Sequence, residues 1–239
     1  MVADRAAPPG GLSRVLVESG PKLLHPWQDE PIDYRCAAMR FSREPGQAAP
    51  GVVLPDRIAR AAPRRRAEWL AGRRCASEAL RLLTGQGACP GMASDRSPLW
   101  PDGIVGSISH SGDVAIAIAA RAGACRGIGV DIERLMDGQG ASEVASEALT
   151  PRERRRLGND PFSVTLAFSA KESLFKALHP LLRRTMSFQL SELVAWNGQG
   201  TARLRLVEGL SSEFPAGREI EVRFARFGDL LLTRVLIPA

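Results

Sequence analysis

Hydrophobic residues recur along this chain with two different periods, and each period predicts a different element. A period near 3.6 residues runs through 63–83 and 163–182 and predicts two long helices. Alternating or short apolar runs predict strands elsewhere, at 13–18, 32–39, 104–111, 114–120, 127–133, 190–196, 202–207, 219–227 and 230–237. Since each half of the chain holds a helix and antiparallel strands, we expect an α+β fold. Two similar lobes, residues 1–123 and 124–239, would lie side by side, each a helix packed on a small, mostly antiparallel sheet.

The second half of the sequence contains a further helix-start signature. The sequence TPRE at 150–153 places Thr150 at an N-cap, Pro151 in the first turn and Glu153 where its side chain can complete a capping box. We therefore predict that a helix begins here, ahead of the long one.

The segment GIGVDIE, residues 127–133, places two acids on one face of a strand. Alternation turns its isoleucines and valine to one side, and turns Asp131 and Glu133 to the other side beside a glycine. At a Cα spacing of roughly 7 Å, two unpaired carboxylates repel each other and raise each other's pKa. We therefore expect a positive group between them.

The second long helix carries charged residues close to its apolar stripe. Lys171 falls near the centre of the stripe, Glu172 lies on its shoulder, and Lys176 follows one turn later. A Glu–Lys pair with this spacing is often only a surface pair that contributes roughly a few tenths of a kcal/mol. The position of Lys171 argues against a fully solvated face, although a snorkelling lysine would give the same pattern.

The first long helix presents two arginines at the edge of its buried stripe. Arg66 and Arg73 are two turns apart, so their side chains stack on the same side of the helix. Two stacked guanidinium groups can grip a phosphate, and they can equally pair with acids. Arg65, Arg74 and Arg81 fall elsewhere and are explained as solvated charges.

A histidine lies near the end of the predicted strand at 104–111. His110 is surrounded by Ser107, Ser109 and Ser111 and by a glycine. Small hydroxyls and a glycine suit a phosphate oxygen or a nucleotide, although a histidine near a turn is often just a surface residue. The motif GxSxG is absent, which argues against a Ser-His-Asp hydrolase.

The composition limits the classes of partner and the cellular compartments that suit this chain. The chain has 32 Lys and Arg against 26 Asp and Glu, a net charge of +6, which favours nucleic acid, an acidic protein or a phosphorylated ligand. Its start lacks the apolar core of a signal peptide, and the apolar run at 114–120 is too short to span a bilayer. The four cysteines show no zinc-ligand spacing, which predicts free thiols. We expect a soluble, cytoplasmic protein with no membrane span.

Together the acids and cations predict a metal site. Asp131, Glu133 and Glu172 offer only oxygen, which hard ions prefer, and a site with few protein ligands completed by substrate phosphates favours Mg²⁺ over Ca²⁺ or Zn²⁺. Mn²⁺ could replace it. We expect the two strand carboxylates to share the metal, which in turn holds a pyrophosphate.

Four blocks, in order, carry a resemblance to a known family. They are RRAEWLAGR, PLWPDGIVGSISHSGDVAIAIA, GIGVDIE and FSAKESLFKA, and they run from about Arg65 to Leu178. This order resembles the 4′-phosphopantetheinyl transferases, in the enterobactin-synthase-associated branch of their larger, surfactin-type class. The combination of GxDxE with (F/W)xxKExxxK is highly specific for this family.

The resemblance implies an activity and a set of site residues. Such enzymes move phosphopantetheine from coenzyme A to a serine of an acyl or peptidyl carrier protein and release 3′,5′-ADP. It implies that Asp131, Glu133 and Glu172 bind the metal, with Glu172 also a candidate base for the carrier serine. It implies that coenzyme A is bound by Arg66, Arg73, Ser109, His110 and Lys176. Lys176, which contacts phosphate, is also expected to take part in catalysis.

One stretch departs from the family. Relatives often carry a Lys-Gly pair just before the PxWP segment, and its lysine helps to hold the nucleotide. Here the stretch is Asp95-Arg96-Ser97, so we predict that Arg96 serves the same purpose from a neighbouring position. Family members of this size are typically pseudo-two-fold symmetric monomers with the site between the lobes, and we expect the same here.

Two other functions use parts of the same pattern. A Mg²⁺-dependent phosphohydrolase would use the same carboxylates with water as nucleophile, but it usually needs a second metal or an activating group. A basic nucleic-acid-binding protein would interleave aromatic residues with its cations, and aromatic residues are only 5% of this chain. We therefore expect no nucleic-acid partner.

Overall fold

The computed structural model describes residues 20–27, 33–42 and 54–239, so the strand predicted at 13–18 lies outside the described residues. The strands are β1 (Lys22–Leu24), β2 (Tyr34–Arg40), β3 (Gly91–Met92), β4 (Pro98–Leu99), β5 (Ile104–Ser111), β6 (Val114–Arg121), β7 (Cys125–Arg134), β8 (Ser191–Trp196), β9 (Thr201–Leu206), β10 (Glu219–Phe227) and β11 (Leu230–Pro238). The helices are α1 (Asp56–Ala59), α2 (Pro63–Thr84), α3 (Gly138–Ala148), α4 (Pro151–Leu157) and α5 (Pro161–Leu182), with a 3₁₀ turn at Phe188–Leu190.

The strands form two antiparallel sheets, each covered by one long helix. The first has the order β1-β2-β6-β5 and packs against α2, and the second has the order β7-β11-β10-β9-β8 and packs against α5. A two-stranded hairpin, β3-β4, stands apart. The mixed helix and antiparallel-sheet class predicted from the pattern is therefore confirmed. None of the helices in the described residues is long and apolar enough to cross a membrane.

The long helices begin and end where local chemistry directs them. Pro63 opens α2, and Gly85 ends it with a φ of 80°, a left-handed conformation that glycine adopts without strain. The α5 helix begins two residues before the predicted start because Asp160 caps it, accepting a hydrogen bond from the Ser163 amide, and Pro161 occupies the first turn.

The helix start predicted at TPRE is confirmed. The Thr150 hydroxyl accepts a hydrogen bond from the Glu153 amide, and the Glu153 carboxylate accepts one from the Thr150 amide, which completes the capping box. The preceding helix α3 was not predicted, because residues 138–140 contain two glycines. Its N-terminus is held by Asp137, whose side chain accepts from the Gly140 amide.

Two glycines bring β7 and α5 into close contact. A Cβ on Gly129 would lie 1.9 Å from the Ser173 carbonyl oxygen, and one on Gly127 would lie 2.3 Å from that of Ala177. Only glycine fits at such a distance, so the glycine face of β7 lies directly against α5. Because Asp131 lies on the same face of the strand, it is delivered to the surface of α5.

The two sheets meet at β5 and β7, which are the edge strands of their sheets. Instead of a backbone ladder, Ser107 bridges them. Its hydroxyl accepts from the Val130 amide at 3.1 Å and lies 3.4 Å from the Val130 carbonyl oxygen. A side chain thus supplies the hydrogen bonds that the edge backbone of β7 would otherwise lack. Behind this seam, buried residues of β2, β6, β7 and β11 form one shared apolar core.

All four cysteines of the chain are among the described residues and none is in a disulfide, so the free thiols predicted from their spacing are confirmed. Cys36, Cys75 and Cys125 are buried, and burial raises the pKa of the Cys36 thiol to about 12.

Candidate active site

One cation lies against the first strand acid: Lys176 contacts Asp131, whereas the metal expected to be shared by Asp131 and Glu133 stays a prediction. The Lys176 ammonium group lies 2.7 Å from Asp131 Oδ1 and also contacts the Ser109 hydroxyl at 2.9 Å. The Ser109 hydroxyl in turn donates to the same Asp131 oxygen at 2.7 Å. Asp131 is only 2% exposed, so these partners replace the water that a buried carboxylate needs.

Glu133 lies beside this pair with fewer partners. Its carboxylate accepts one hydrogen bond, from the Ser111 hydroxyl at 2.9 Å. Burial, and then the negative charge of Asp131, raise the pKa of Glu133 to about 8. The mutual repulsion expected from the strand pattern is therefore present in the fold, and Lys176 offsets only part of it.

Glu172 reaches the same cleft from α5. Its carboxylate is 4.0 Å from the Lys176 ammonium, the outer limit of an ion pair, and its side chain is 26% exposed. Burial, followed by the charge of Asp131, raises its pKa, while Lys176 lowers it. The predicted Glu–Lys pair is thus a loose one, and among the described residues no group lies closer than Lys176 as an ion-pair partner of Glu172.

The chemistry of these carboxylates suits a hard divalent cation whose coordination is completed by a ligand. Their oxygens are the donors that Mg²⁺ prefers, and burial together with the charge of Asp131 raises the pKa of Glu133 and of Glu172, so a bound cation would stabilise their charged forms. Within the described residues, however, no group of three or more His, Cys, Asp or Glu side chains is close enough to hold a metal ion alone. The cleft therefore fits a metal that shares its coordination with the oxygens of a bound ligand.

A cavity of about 330 Å³ collects cations at one end of the site, between α1, α2, the β3-β4 hairpin and β5. We call it the arginine cavity. Its charged lining residues are Arg57, Arg65, Arg73, Arg96, Glu68 and His110. Because five of these six can carry positive charge, the cavity suits an anion, and planar guanidinium groups are well shaped for a phosphate.

Two of these cations are held in place before any ligand binds. Arg73 is 5% exposed, donates to the Gly91 carbonyl oxygen at 2.9 Å and lies 5.0 Å from the centre of the Trp69 ring. Arg65 lies 3.0 Å from His110 Nε2. Burial chiefly lowers the pKa of His110, so its neutral imidazole can accept this hydrogen bond.

The buried acid Glu68 organises the mouth of the cavity. It is 8% exposed and accepts hydrogen bonds from Arg64 Nε at 3.0 Å and from Arg65 Nη1 at 3.4 Å. Its carboxylate is 3.9 Å from His110 Nε2. A carboxylate on the buried side of α2 was a signal in the sequence, since such a group needs cationic partners one turn away.

The structure does not bring Arg66 to the arginine cavity. Its guanidinium group donates to the Ala59 carbonyl oxygen at 3.3 Å, while Arg65, which the pattern assigned to solvent, faces His110. The cavity lies between α2 and β5, to one side of the buried stripe of α2. The helical spacing of Arg66 and Arg73 along that stripe therefore could not identify the residues that line the cavity. Arg73, the other arginine of the predicted pair, does line it.

Arg96 lies at the turn of the β3-β4 hairpin, with a φ of 73°, in the left-handed region that favours glycine. Its acidic neighbour Asp95 is turned away, accepting hydrogen bonds from the amide and hydroxyl of Ser97 and lying 3.6 Å from His179. Arg96 lines the arginine cavity, as predicted for a nucleotide contact, although its contact with a ligand stays a prediction.

A second cavity of about 440 Å³ runs from the hairpin along β5 and the first residues of β7 to α5. It shares Arg96, Pro98 and Ile108 with the arginine cavity and ends at Lys176. Its walls include the rings of Trp100 and Phe175. The two cavities therefore adjoin, and together they run from a cluster of cations, past apolar walls, to Lys176, whose ammonium group contacts Asp131.

Comparison with known proteins agrees with this geometry. Residues 54–120 match the model of the 4′-phosphopantetheinyl transferase N-terminal domain, and residues 127–225 match that of the 4′-phosphopantetheinyl transferase superfamily. The chain belongs to the 4′-phosphopantetheinyl transferase superfamily, as the motif order predicted. Its relatives include enterobactin synthase component D, which supports the branch predicted from the same motifs.

Three relatives give the extent of the likeness. Enterobactin synthase component D of Salmonella typhi is 45% identical over 126 residues, which are 51% of this chain and 52% of the relative. The chain thus spans about half the length of these enterobactin synthase components. The transferase Svp of Streptomyces mobaraensis is 34% identical over 76% of both chains. The transferase PptT of Mycobacterium tuberculosis is 30% identical over 79% of this chain and 88% of its own.

Proposed function

We propose that this protein transfers 4′-phosphopantetheine from coenzyme A to a serine of an acyl or peptidyl carrier protein and releases 3′,5′-ADP in a Mg²⁺-dependent reaction. The observation that carries the proposal is the cleft where Lys176, Asp131 and the weakly paired Glu172 meet at the end of a path from the arginine cavity. This arrangement suits a ligand with two separate phosphate groups and a nucleophile that must lose a proton.

The two ends of the path match the two charged ends of coenzyme A. The arginine cavity, with Arg65, Arg73 and His110, offers donors to a terminal phosphate. Lys176 offers an ammonium group to the diphosphate at the other end. Because Lys176 also lines the cavity along β5, its side chain can contact a phosphate oxygen without leaving the cleft.

The metal would be held by Asp131, Glu133 and Glu172 together with diphosphate oxygens. When bound, Mg²⁺ or Mn²⁺ supplies positive charge that stabilises the leaving phosphate. Each of the three residues presents only carboxylate oxygen, and the repulsion among them supports a role in binding a cation.

Glu172 is the group we assign to the proton. The carrier serine oxygen attacks the phosphorus that bears the pantetheine arm, the bond from that phosphorus to the bridging oxygen breaks, and 3′,5′-ADP leaves. The serine proton passes to the Glu172 carboxylate. A base is most effective when its pKa is near the working pH, and burial moves Glu172 in that direction.

The pantetheine arm has an apolar groove beside Glu172. The groove has a volume of about 180 Å³ and is lined by Glu172 itself and by apolar side chains, among them Phe175, Met186, Phe188 and Leu206. An uncharged chain could lie there while the diphosphate stays at Lys176.

The carrier partner is expected to be acidic. The net charge of +6 favours an acidic carrier protein. Relatives named enterobactin synthase component D make a carrier domain of siderophore or other secondary-metabolite synthesis the first to test. Two lobes related by a pseudo-two-fold axis and divided at 123/124, a monomeric state and a cytoplasmic location stay predictions.

The deciding experiment measures the mass of the carrier domain after incubation with the protein. The protein is incubated with coenzyme A, Mg²⁺ and an apo carrier domain, and the carrier is analysed by mass spectrometry, with Asp131→Ala as the control. We expect the carrier to gain one phosphopantetheine group with the natural chain and none with Asp131→Ala. Hydrolysis of coenzyme A while the carrier stays unmodified would favour a phosphohydrolase and overturn the proposal. An Asp131→Ala protein with normal turnover would overturn the assignment of the cleft.

A further inference from the structure

The second oxygen of Asp131 faces away from the cleft and is held by a serine of α5. Asp131 Oδ2 accepts a hydrogen bond from the Ser169 hydroxyl at 2.8 Å, whereas Lys176 and Ser109 contact Oδ1. Ser169 lies on α5 and is fully buried. The carboxylate is thus gripped from both sides, by the cleft residues on one oxygen and by the helix on the other.

Ser169 belongs to a chain of buried hydroxyls. Its Oγ is 2.8 Å from Thr233 Oγ1, and Thr233 Oγ1 is 2.7 Å from the Ser173 hydroxyl. All three residues have zero exposure. Thr233 stands directly opposite Asp131 in the β7–β11 pair, so both side chains lie on the sheet face that packs against α5.

The direction of these hydrogen bonds follows from the acid at the end. A carboxylate paired with Lys176 only accepts, so the Ser169 proton points to Asp131. Ser169 Oγ can then bond Thr233 only by accepting, and the Ser173 hydroxyl donates to Thr233, with Oγ1 at 2.7 Å and the carbonyl oxygen at 3.1 Å as its two acceptors. The Thr233 proton is shared with the Ser169 carbonyl oxygen at 2.9 Å. The chain therefore runs from Ser173 through Thr233 and Ser169 to Asp131.

We propose that Ser169 is a positioning residue for Asp131, and that the hydroxyl chain behind it holds the carboxylate with one oxygen fixed toward the cleft. A buried chain of hydrogen bonds strengthens each of its members and restricts the rotation of the group at its end. An Asp131 that is already oriented binds a divalent cation without first losing rotational freedom. This inference rests on the proposed function, because it assigns Asp131 to the metal.

The chain contains its own matched control. Ser173 is on the same helix one turn later, is equally buried and contacts the same threonine, but it does not touch Asp131. Ser169→Ala and Ser173→Ala therefore remove the same atom from the same environment. A purely structural role of the hydroxyls predicts equal effects of the two changes, and a positioning role predicts unequal ones.

The experiment measures Mn²⁺ binding by electron paramagnetic resonance in the presence of coenzyme A, for the natural chain and both variants, and the Mg²⁺ dependence of transfer. Loss of a residue that orients a metal ligand typically weakens metal binding by about ten- to a hundredfold. We expect Ser169→Ala to bind Mn²⁺ about tenfold more weakly and to regain transfer at high Mg²⁺. Ser173→Ala removes a hydroxyl that does not touch Asp131, so it should lose stability to a similar degree but lose much less Mn²⁺ affinity than Ser169→Ala does.

Equal Mn²⁺ affinities in the two variants would overturn the inference. Should Ser169→Ala fail to fold, Thr233→Val removes the next hydroxyl while keeping the side-chain shape, and it should weaken Mn²⁺ binding more than Ser173→Ala does; an unchanged affinity there would also overturn the inference. Measurements on the natural chain distinguish a failure of this inference from a failure of the proposed function. If it neither binds Mn²⁺ nor modifies a carrier, the function is wrong before any variant is compared.

Discussion

Two lysines on α5 form ion pairs of almost equal length in opposite surroundings. Lys171 lies 2.6 Å from Glu153 with its side chain 2% exposed, and Lys176 lies 2.7 Å from Asp131 with its side chain 22% exposed. Lys171 also donates to the Ala148 carbonyl oxygen at 2.8 Å. The first pair joins three helices in the core, whereas the second stands at the wall of the cleft.

The partners of each pair show what the difference means. Glu153 also accepts from the amides of Thr150 and Leu193, so its carboxylate ties α4, α5 and β8 together and every oxygen is used. Asp131 and Lys176 instead share their bonds with Ser109, beside Glu133 and Glu172, whose pKa values are raised by burial and by the charge of Asp131. A buried pair with all its bonds made holds a fold, whereas a pair whose lysine is partly exposed beside two further carboxylates can exchange partners with a ligand.

The largest effect should come from breaking the buried pair. Lys171→Met leaves the Glu153 charge in the core without its cation, which typically costs roughly 3–5 kcal/mol of the free energy of unfolding. Urea unfolding followed by tryptophan fluorescence measures the loss. Transfer by the fraction that stays folded should be nearly normal. A stability unchanged from the natural chain would show that the pair does not hold the fold.

Lys176→Met should have the opposite effect to Lys171→Met, with a large loss of turnover and a smaller loss of stability. Its loss removes a cation from the place where phosphate charge develops, and removal of one such group typically lowers turnover by about 10²- to 10³-fold. Because the Lys176 side chain is 22% exposed and the buried Asp131 keeps hydrogen bonds from Ser109 and Ser169, the loss of stability should be smaller than that of Lys171→Met. Turnover and urea unfolding are measured on the same preparation. If Lys176→Met lost stability and kept turnover, the two lysines would have been assigned the wrong way round.

Glu172→Gln tests the proton acceptor beside Lys176. The change keeps the shape and removes the charge, so a base should be lost and turnover should fall by roughly a hundredfold or more. Binding of coenzyme A in Mg²⁺, measured by calorimetry, separates the two roles. Near-normal binding assigns Glu172 to the proton, and weaker binding that recovers at high Mg²⁺ assigns it to the metal as well. Full activity would exclude both roles.

Arg65 and Arg66 allow a similar comparison at the arginine cavity, between a residue that lines it and a neighbour that does not. A hydrogen bond between charged groups contributes about 1.5–3 kcal/mol, so Arg65→Ala should weaken 3′,5′-ADP binding by about ten- to a hundredfold. Arg66→Ala, one residue away, should change it by about twofold or less, because the side chain lies outside the cavity. Calorimetry at low and high salt reads out both. A greater loss with Arg66→Ala would restore the pattern-based assignment.

The smallest effect concerns His110 and pH. Burial lowers its pKa, with Arg65 and Glu68 facing it from α2, Lys176 from α5 and Asp131 from β7. Below about pH 6.5, the unfolded chain binds the proton more readily than the folded one does. The contribution of His110 to stability is therefore present above that pH and is lost as the pH falls through its folded pKa.

His110→Gln should accordingly make the loss of stability on acidification below about pH 6.5 shallower. In the natural chain, 3′,5′-ADP binding should also take up a fraction of a proton at about this pH, because a bound phosphate favours the charged imidazole. Calorimetry in buffers of different ionisation heat detects the uptake. Identical pH profiles for the natural chain and the variant would remove His110 from the phosphate site.

Local pattern was enough to predict most of this molecule's elements. The strands at 104–111 and 219–227 have their predicted bounds, and both long helices lie within two residues of theirs, because period, caps and turn residues act over short stretches of chain. The shared face of Asp131 and Glu133 followed from strand alternation in the same way. So did the need for a cation between them, since repulsion between carboxylates depends only on their spacing.

Tertiary structure alone decided which partners these residues take. Lys171 pairs with an acid from another helix, Asp131 is held by Ser169 across the β7–α5 contact, and Arg65 rather than Arg66 faces His110. Each of these contacts joins elements whose relative placement depends on the packing of the whole core. Hydrophobic period specifies which face of an element is buried, but the atoms that a long polar side chain meets are set by the distance and angle between packed elements.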